Sequence, residues 1–393
     1  MQVLKRGRFW AAAGCIGLVF FGLLVGLVVA VLGYREIENL VEVITVIRSD
    51  YIEEVSPAQL VEGAAKGIVE SLDDPYSVYL EPGTFNQLRA EIRGSFGGLG
   101  ILVGLKDNHL TVVRPFPDTP AGRAGIKAGD VIVKIDDRYT EGLDLETAVS
   151  LMRGPVGTEV TLLIMRAGSK PRKLTLSREE INVPSVEGKL LPEKIGHIAI
   201  SQFTERTPAE LHRVIAGLQA EGMRAIILDL RDNPGGELQA AVKVADYFVP
   251  EGPVVYVDYR RERDEVYRAD GHRITMPLVV LVNENSASAA EIVAAAVKET
   301  KAGKVLGTRT FGKGVVQSVF PLKNGAGLKL TTAYYLTPKK HYINKKGVEP
   351  DIRVEQPKNG DGDQQLAAAR EVLLRDFGLV AARGQKIASA GRN

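Results

Sequence analysis

The stretch Met276–Gln317, MPLVVLVNENSASAAEIVAAAVKETKAGKVLGTRTFGKGVVQ, decides how the chain reads. Leu278 to Val282 is a short run of Leu and Val, the pattern of a strand buried on both faces. Asn283-Glu284-Asn285 breaks it, and an Ala-rich helical segment runs from Ala289 to about Glu299. Ser288 therefore stands at a strand-to-helix junction. Backbone N–H groups point outward and unpaired at such a junction, which suits an oxyanion. Ser288-Ala-Ala-Glu291 also reads as a capping box, in which Ser288 simply closes the helix. Lys313 follows in Phe-Gly-Lys-Gly, and Gln317 comes four residues later. If Lys313 opens a strand, that even spacing puts both side chains on one face. Taken alone, Lys313 reads as a solvated surface lysine.

Gly307-Thr-Arg-Thr-Phe-Gly312-Lys313 imitates a phosphate-binding P-loop up to its last position. That position must be Ser or Thr to hold magnesium, and here it is Gly314. A P-loop lysine also enters a helix, whereas Val315 to Phe320 is β-branched and strand-like. The nucleotide reading fails on both counts.

Read together, N-x-x-S-A-S-A-A-E and then F-G-K-G-x-x-Q at this distance resemble the C-terminal processing (tail-specific) proteases. The resemblance implies a serine endopeptidase with a Ser-Lys dyad. It assigns the nucleophile to Ser288, the second serine of the S-A-S triplet, rather than Ser286. It assigns the base to Lys313 and the residue that orients it to Gln317. It implies an α/β fold: a Clp-protease/crotonase-like catalytic domain with an inserted-type PDZ domain, an N-terminal helical segment and a transmembrane anchor. No cofactor and no metal is implied. The resemblance extends from Tyr51 to about Leu374.

A length of 393 residues predicts two to three domains. Lys and Arg number 50 against 48 Asp and Glu, so nothing signals a nucleic-acid partner. An apolar content of 45% supports a real core. A single cysteine, Cys15, excludes an intrachain disulfide and any cysteine-based metal cluster. The five histidines are scattered without metal spacing, and no G-x-S-x-G elbow offers a Ser-His-Asp hydrolase.

No charge lies between Arg8 and Arg35, and Trp10 to Leu32 is long enough to span a bilayer. Lys5, Arg6 and Arg8 keep the N-terminus inside. Residues 1–34 are therefore expected to be a single-pass anchor in the cell membrane, with the catalytic part on the extracytoplasmic side. A cleaved signal peptide is the alternative, but a clean A-x-A site is missing. Over 35–84 the chain reads as helical. Ile37, Leu40, Val41, Ile44 and Ile47 recur at helical spacing, and Ser56-Pro57-Ala58-Gln59 opens a second helix. This helical pair should cover the body, and the resemblance also admits a homodimer or higher oligomer through it. Asp74 to Leu80, DPYSVYL, matches the family as well.

From Phe85 to about residue 170 the texture changes to short strands with Gly and Asp punctuation. Phe96-Gly97-Gly98-Leu99-Gly100-Ile101 leads into strands around an Asp107-Asn108 turn. Asp144 caps a helix through Met152, and Val160 to Met165 closes the set. This stretch resembles a PDZ domain. The resemblance implies that Gly98, Leu99, Gly100 and Ile101 offer backbone N–H groups to a terminal carboxylate, while the peptide adds a strand to the sheet edge. A plain tight turn is the competing reading of these glycines. Arg153 reads as a solvated surface arginine, or else as a coupler of peptide occupancy to the catalytic domain.

A linker is expected around Arg172 to Val186, then the catalytic domain over 171–358. Ile195 to Ser201 and Ala225 to Leu230 read as strands, and Thr207-Pro208-Ala209-Glu210 as a capping box. Arg231-Asp232-Asn233-Pro234-Gly235-Gly236 is a strand-to-helix turn, and nothing is inferred from Asp232. The resemblance places an oxyanion-hole N–H at Gly236, with Gly235 its near rival, and the second at Ala289. Val254 to Arg273 reads as a solvated hairpin. The segments Tyr335-Leu-Thr-Pro338, Ile343-Asn344 and Gly347 to Asp351 match the family's closing pattern. Residues 359–393 hold a helix, Gln364 to Leu374, and a polar tail after Gly378 expected to be disordered.

The expected activity is cleavage of proteins or peptides recognised partly through their free C-termini. A membrane-anchored PDZ adaptor with an inactive protease domain is the alternative, and the intact Ser288, Lys313 and Gln317 argue against it. To act as base Lys313 must be neutral, whereas a free lysine titrates near ~10.4. Burial among Phe311, Val315 and Val316 is expected to disfavour its charged form.

Overall fold

The computed structural model describes residues 37–260, 264–357 and 362–376. The apolar stretch Trp10 to Leu32 and the tail after Gly378 lie outside the described residues. Among those described, no helix is long and apolar enough to cross a membrane.

The chain divides into two compact units, residues 1–79 and 80–393. In the first, helix α1 (37–50) is followed by α2 (Pro57–Glu70). Ser56 caps α2 by accepting the Gln59 N–H at 3.2 Å. Asp74 then accepts the Tyr76 N–H (3.2 Å) and the Ser77 hydroxyl (2.6 Å), so the DPYS motif is an Asx turn. Ile37, Val41, Val43 and Val46 on α1 and Val61 and Ile68 on α2 remain exposed.

Strand β1 (Val78–Leu80) leads to the second unit, which opens with α3 (Pro82–Arg93). Strand texture was expected from Phe85, but it begins only after this helix. Pro82 in the first turn and Gly94 in the left-handed conformation (φ 80°) frame the helix at both ends. The PDZ part follows. Its elements are β2 (Ser95–Gly98), β3 (Ile101–Lys106), β4 (His109–Pro115), α4 (Pro120–Arg123), β5 (Val131–Ile135), β6 (Arg138–Tyr139), α5 (Leu145–Met152), β7 (Glu159–Met165), β8 (Arg172–Ser177) and β9 (Glu179–Asn182). Asp107 and Asn108, both at positive φ, make the β3–β4 turn. The sheet order is β3-β4-β5-β7-β8, with β6 on β5 and β2 on β9. The expected linker from Arg172 is thus absent: β8 completes the PDZ sheet against β7. Its alternate residues Leu174 and Leu176 pack on the PDZ core, which a short polar-looking stretch conceals.

The catalytic part adds β10 (Val186–Leu190), β11 (Ile195–Ile200), α6 (Thr207–Ala220), β12 (Ala225–Asp229), α7 (Leu238–Asp246), β13 (Gly252–Tyr259), β14 (Glu265–Ala269), β15 (Leu278–Val282), α8 (Ala289–Glu299), β16 (Lys304–Gly307), β17 (Val315–Pro321), β18 (Gly327–Leu336), β19 (Ile352–Arg353) and α9 (Gln364–Asp376). The main sheet runs β10-β11-β12-β15-β16-β19 and is parallel except for β10. Period-two alternation sends its side chains into two cores. Ile226, Leu228, Val280 and Val282 join the core that also contains residues of α6, α7 and α8. Ile227, Val279, Leu281 and Leu306 join the other, with Ala369 and Leu373 of α9. All five residues of β12 and of β15 are buried, as continuous apolar strands require.

A second, antiparallel sheet contains β17, β18, β13 and β14. The expected solvated hairpin after Val254 is therefore only half right. Val254, Val255 and Val257 are buried in the core that also contains residues of α7 and α8, and β13 pairs with both β14 and β18. The capping box at Thr207 also differs. Glu210 accepts the Ser185 N–H (2.7 Å) and hydroxyl (2.8 Å) with one oxygen and pairs with Arg206 Nε (3.6 Å) with the other, while the Thr207 N–H donates to the Thr204 carbonyl (3.0 Å).

Candidate active site

Three loops leave the carboxyl ends of β12, β15 and β16 and meet there, where open parallel sheets bind ligands. Ala287 N–H donates to the Asn233 carbonyl (2.9 Å), and Phe311 N–H to the Ser286 carbonyl (3.0 Å).

The two serines of the S-A-S triplet have different fates. Ser286 is fully buried; its hydroxyl donates to the Leu230 carbonyl (2.7 Å) and accepts the Asn283 N–H (2.9 Å). It braces the turn. Ser288 has φ 53° and ψ −113°, a conformation costly for a residue with a Cβ. The surrounding contacts impose it. Glu291, fully buried, accepts the Ser288 N–H at 2.9 Å. The same carboxylate accepts the N–H groups of Gly312 and Lys313, each at 2.8 Å, and the Thr310 hydroxyl at 2.5 Å. One side chain thus ties the backbone of the candidate nucleophile to that of the candidate base. Burial pushes its carboxyl above the ordinary range, against the pull of these donors.

The glycine turn after β12 presses on Ser288. A Cβ at Gly235 (φ 101°) would lie 2.7 Å from Ser288 Cβ and 3.0 Å from the Ala289 nitrogen. Gly235 N–H already donates to Asn233 Oδ1 (2.8 Å), so it is committed inward. The Gly235 carbonyl accepts the Phe203 N–H (2.9 Å). Across that planar peptide the Gly236 N–H must point away from Phe203. Gly236 itself (φ 140°) has no room for a side chain, because a Cβ would fall 2.0 Å from the Phe203 carbonyl oxygen.

Asp232 carries weight that its sequence position did not reveal. At φ 57°, it accepts the side-chain amides of Asn283 and Asn285, both at 2.8 Å. It clips the glycine turn to the loop that delivers Ser288. Behind it, Asp229 accepts Arg231 Nε (2.8 Å) and Nη2 (2.6 Å) and contacts His197 Nε2 (3.0 Å). Arg231 also reaches Asp363 through both Nη atoms (2.8 Å each), at the foot of α9. Burial alone would raise Asp229, but the bonds from Arg231 and His197 outweigh it and hold the carboxyl at about 2. Asp229 and Arg231 are neighbours in the chain, but only folding brings His197 and Asp363 to them, and spacing gave no signal for that.

Lys313 does not open a strand, because β17 starts at Val315. A register shift between Val316 and Gln317 further breaks the expected even spacing. Lys313 is half-buried between two glycines that cannot be replaced. A Cβ at Gly314 would lie 2.3 Å from the Asn344 nitrogen, and one at Gly312 3.0 Å from the Gly347 nitrogen. The closing segment around Asn344 and Gly347 thus walls the lysine loop. Val315 and Val316 are buried as expected, but Phe311 is 57% exposed and forms no wall. Gln317 is half-buried, and its amide donates a long bond (3.4 Å) to the Val315 carbonyl.

The PDZ residues lie apart from these loops. Leu99 is buried in the PDZ core. The Leu99 carbonyl accepts the Ala121 N–H (3.0 Å), and the Gly100 carbonyl accepts the Phe116 N–H (2.9 Å). The planar peptides therefore turn the Gly100 and Ile101 N–H groups the other way. Ile101 begins β3, an edge of its sheet, with α5 packed near it. A Cβ at Gly100 (φ 72°) would strike Thr119 at 2.4 Å. Arg153 is not simply solvated: its guanidinium lies 4.4 Å from the Phe96 ring centroid and 3.9 Å from Glu91.

The model of Peptidase family S41 matches residues 194–354, that of the PDZ domain 111–166, and that of the activating protease CtpB N-terminal domain 29–84. The carboxy-terminal processing protease CtpA of Bacillus subtilis (strain 168) is 38% identical over 343 residues, covering 83% of this chain and 74% of that protein. A carboxy-terminal-processing protease of Bartonella bacilliformis is 39% identical over 333 residues, covering 82% and 76%. A solved structure described as an S41 protease from Bacteroides fragilis shares the fold, with TM-score 0.51 at 18% identity over 84% of this chain and 92% of that one. Such identity to proteases sets aside the adaptor reading. The chain belongs to peptidase family S41, the serine-type carboxy-terminal processing proteases.

Proposed function

We propose that this peptidase works through Ser288 and Lys313 and selects substrates by their free C-termini. The observation that carries the reading is Glu291, which binds the Ser288, Gly312 and Lys313 backbones at once. Ser288 Oγ attacks the peptide carbonyl. Neutral Lys313 takes its proton and later gives it to the leaving amine. Gln317 orients the Lys313 amine. The Gly236 and Ala289 N–H groups hold the oxyanion; losing one such donor typically costs ~10²–10³ in rate. A substrate tail pairs with the β3 edge, and its carboxylate meets the N–H groups of Gly98 to Ile101.

The apolar segment Trp10 to Leu32 anchors the chain in the cell membrane, with the protease outside the cytoplasm. The exposed apolar side chains of α1 and α2 favour self-association of the N-terminal unit.

Cleavage of a tailed peptide by the full chain tests the chemistry. Ser288→Ala and Lys313→Arg should abolish it, since arginine stays protonated. Ser286→Ala should keep most of it, at some cost in stability from the lost brace. A fluorophosphonate should label Ser288 in wild type. Cleavage that survives Ser288→Ala, or wild-type turnover in Lys313→Arg, overturns the reading.

A further inference from the structure

We propose that Asn233 is a positioning residue for the oxyanion hole: its side-chain oxygen holds the Gly235 N–H inward, so that the next N–H of the turn, that of Gly236, faces the substrate. The proposal rests on the Ser288–Lys313 reading above, in which the Gly236 and Ala289 N–H groups receive the oxyanion.

Asn233 is fully buried, and three elements meet on it. Its amide Nδ2 donates to the carbonyl of Ile200, the last residue of β11, at 2.7 Å. Its Oδ1 accepts the Gly235 N–H at 2.8 Å, two residues on, in an Asx turn. Its backbone carbonyl accepts the N–H of Ala287, the residue before the nucleophile, at 2.9 Å. A donor on one side and an acceptor on the other are what a carboxamide supplies, and neither an ionised carboxylate nor an alkyl group can. Asn233 thus fixes the glycine turn against β11 and against the loop that delivers Ser288.

The turn needs such a fixture. Pro234 locks its own φ, but Gly235 and Gly236 stand at φ 101° and 140°, where glycine rotates at little cost. Burial already separates the two glycines, since Gly235 is buried and Gly236 exposed. The Gly235 N–H is bonded to Asn233, and the Gly235 carbonyl accepts the Phe203 N–H at 2.9 Å. Held at both ends, the peptide between the glycines keeps one orientation, with the Gly236 N–H outward. The turn also lies against the second donor, because a Cβ at Gly235 would fall 3.0 Å from the Ala289 nitrogen. Freed from Asn233, that peptide can rotate and aim its carbonyl oxygen where the N–H stood. An oxygen there repels the oxyanion. No bond to Asn233 is made or broken in the reaction, and it acts through the backbone it holds.

Asn233→Ala in the full chain removes the acceptor for the Gly235 N–H. Asn233→Ser leaves a hydroxyl that accepts the same N–H more weakly. On a tailed peptide, kcat of Asn233→Ala should fall about 10²-fold, the lower end of what an oxyanion donor is worth, with KM little changed. Asn233→Ser should lie between it and wild type. A peptide aldehyde, whose adduct with Ser288 carries the oxyanion, should bind each variant more weakly by the factor lost in kcat/KM. A purely structural role would lower the urea midpoint without that proportion. If folded Asn233→Ala keeps wild-type kcat, or if aldehyde affinity holds while kcat falls, the proposal is wrong. Should Asn233→Ala not fold, Asn233→Ser decides by the same two readings. If neither folds, Asn233 belongs to the scaffold alone and the proposal falls. Ser288→Ala run alongside separates the two ideas. Inactive Ser288→Ala with normal Asn233→Ala sinks only the asparagine, whereas active Ser288→Ala sinks both.

Discussion

Two buried carboxylates beside the site behave oppositely, and their partners explain why. Glu291 meets four donors but no counter-ion among its bonds, so burial wins and its pKa rises. Its favourable contribution is full below its unfolded value and is lost as pH climbs through the folded one. Asp229 instead meets the Arg231 guanidinium, and its pKa falls from 3.8 to about 2. Asp229 therefore stabilises the fold above its unfolded pKa, and that stability is lost as pH drops from about 4 toward 2. The amount is about 2 kcal/mol. Asp229→Asn should lower the urea midpoint at neutral pH and flatten the loss between those two pH values. An acid limb as steep as wild type's would contradict this account.

Under the proposed reading, the PDZ loop from Gly98 to Ile101 is the element whose backbone would meet a substrate's carboxylate. Its glycine at 100 holds φ 72° against Thr119 with no space for a methyl group. Gly100→Ala must shift either the loop or Thr119, which moves the Gly100 and Ile101 N–H groups. Binding of a tailed peptide should weaken by roughly tenfold or more, about 1.4 kcal/mol, if one carboxylate hydrogen bond is lost. Fluorophosphonate labelling of Ser288 should stay near the wild-type rate, because the site lies in another part of the chain. In wild type, amidating the peptide's C-terminus should have a similar effect. Equal cleavage of acid and amide would remove the PDZ loop from substrate selection.

For the second unit as a whole, α9 matters more than its position near the end of the described chain suggests. Ala369 and Leu373 are fully buried on the sheet face opposite α6, α7 and α8, and Asp363 at its foot pairs with Arg231. Removing α9 would bare the β12 and β15 side chains of that face. Leu373→Ala should cost about 2–5 kcal/mol, the range for a buried leucine that leaves a cavity. Chemical denaturation followed with labelling of Ser288 tests both stability and site. A change below ~0.5 kcal/mol, the surface range, would mean that α9 does not hold the sheet.

The sequence by itself determined the local pattern and the chemistry-bearing residues. The Leu278–Val282 strand, the helix from Ala289, the glycine turn at Gly235-Gly236 and the strand after Gly314 were all legible, because apolar periodicity and turn chemistry act over a few residues. Family resemblance added which serine, lysine and glycine to weigh. Tertiary structure alone decided how they are held. Glu291 read as a cap, yet its bonds reach Thr310, Gly312 and Lys313 as well. Asp232 carried no message until Asn283 and Asn285 were brought to it. The even spacing from Lys313 to Gln317 failed because pairing with β18 fixes where β17 starts and where its register shifts. Spacing governs a side chain's direction within one element. A hydrogen bond across 50 residues depends on where the packed sheets set the two ends, and no local pattern encodes that.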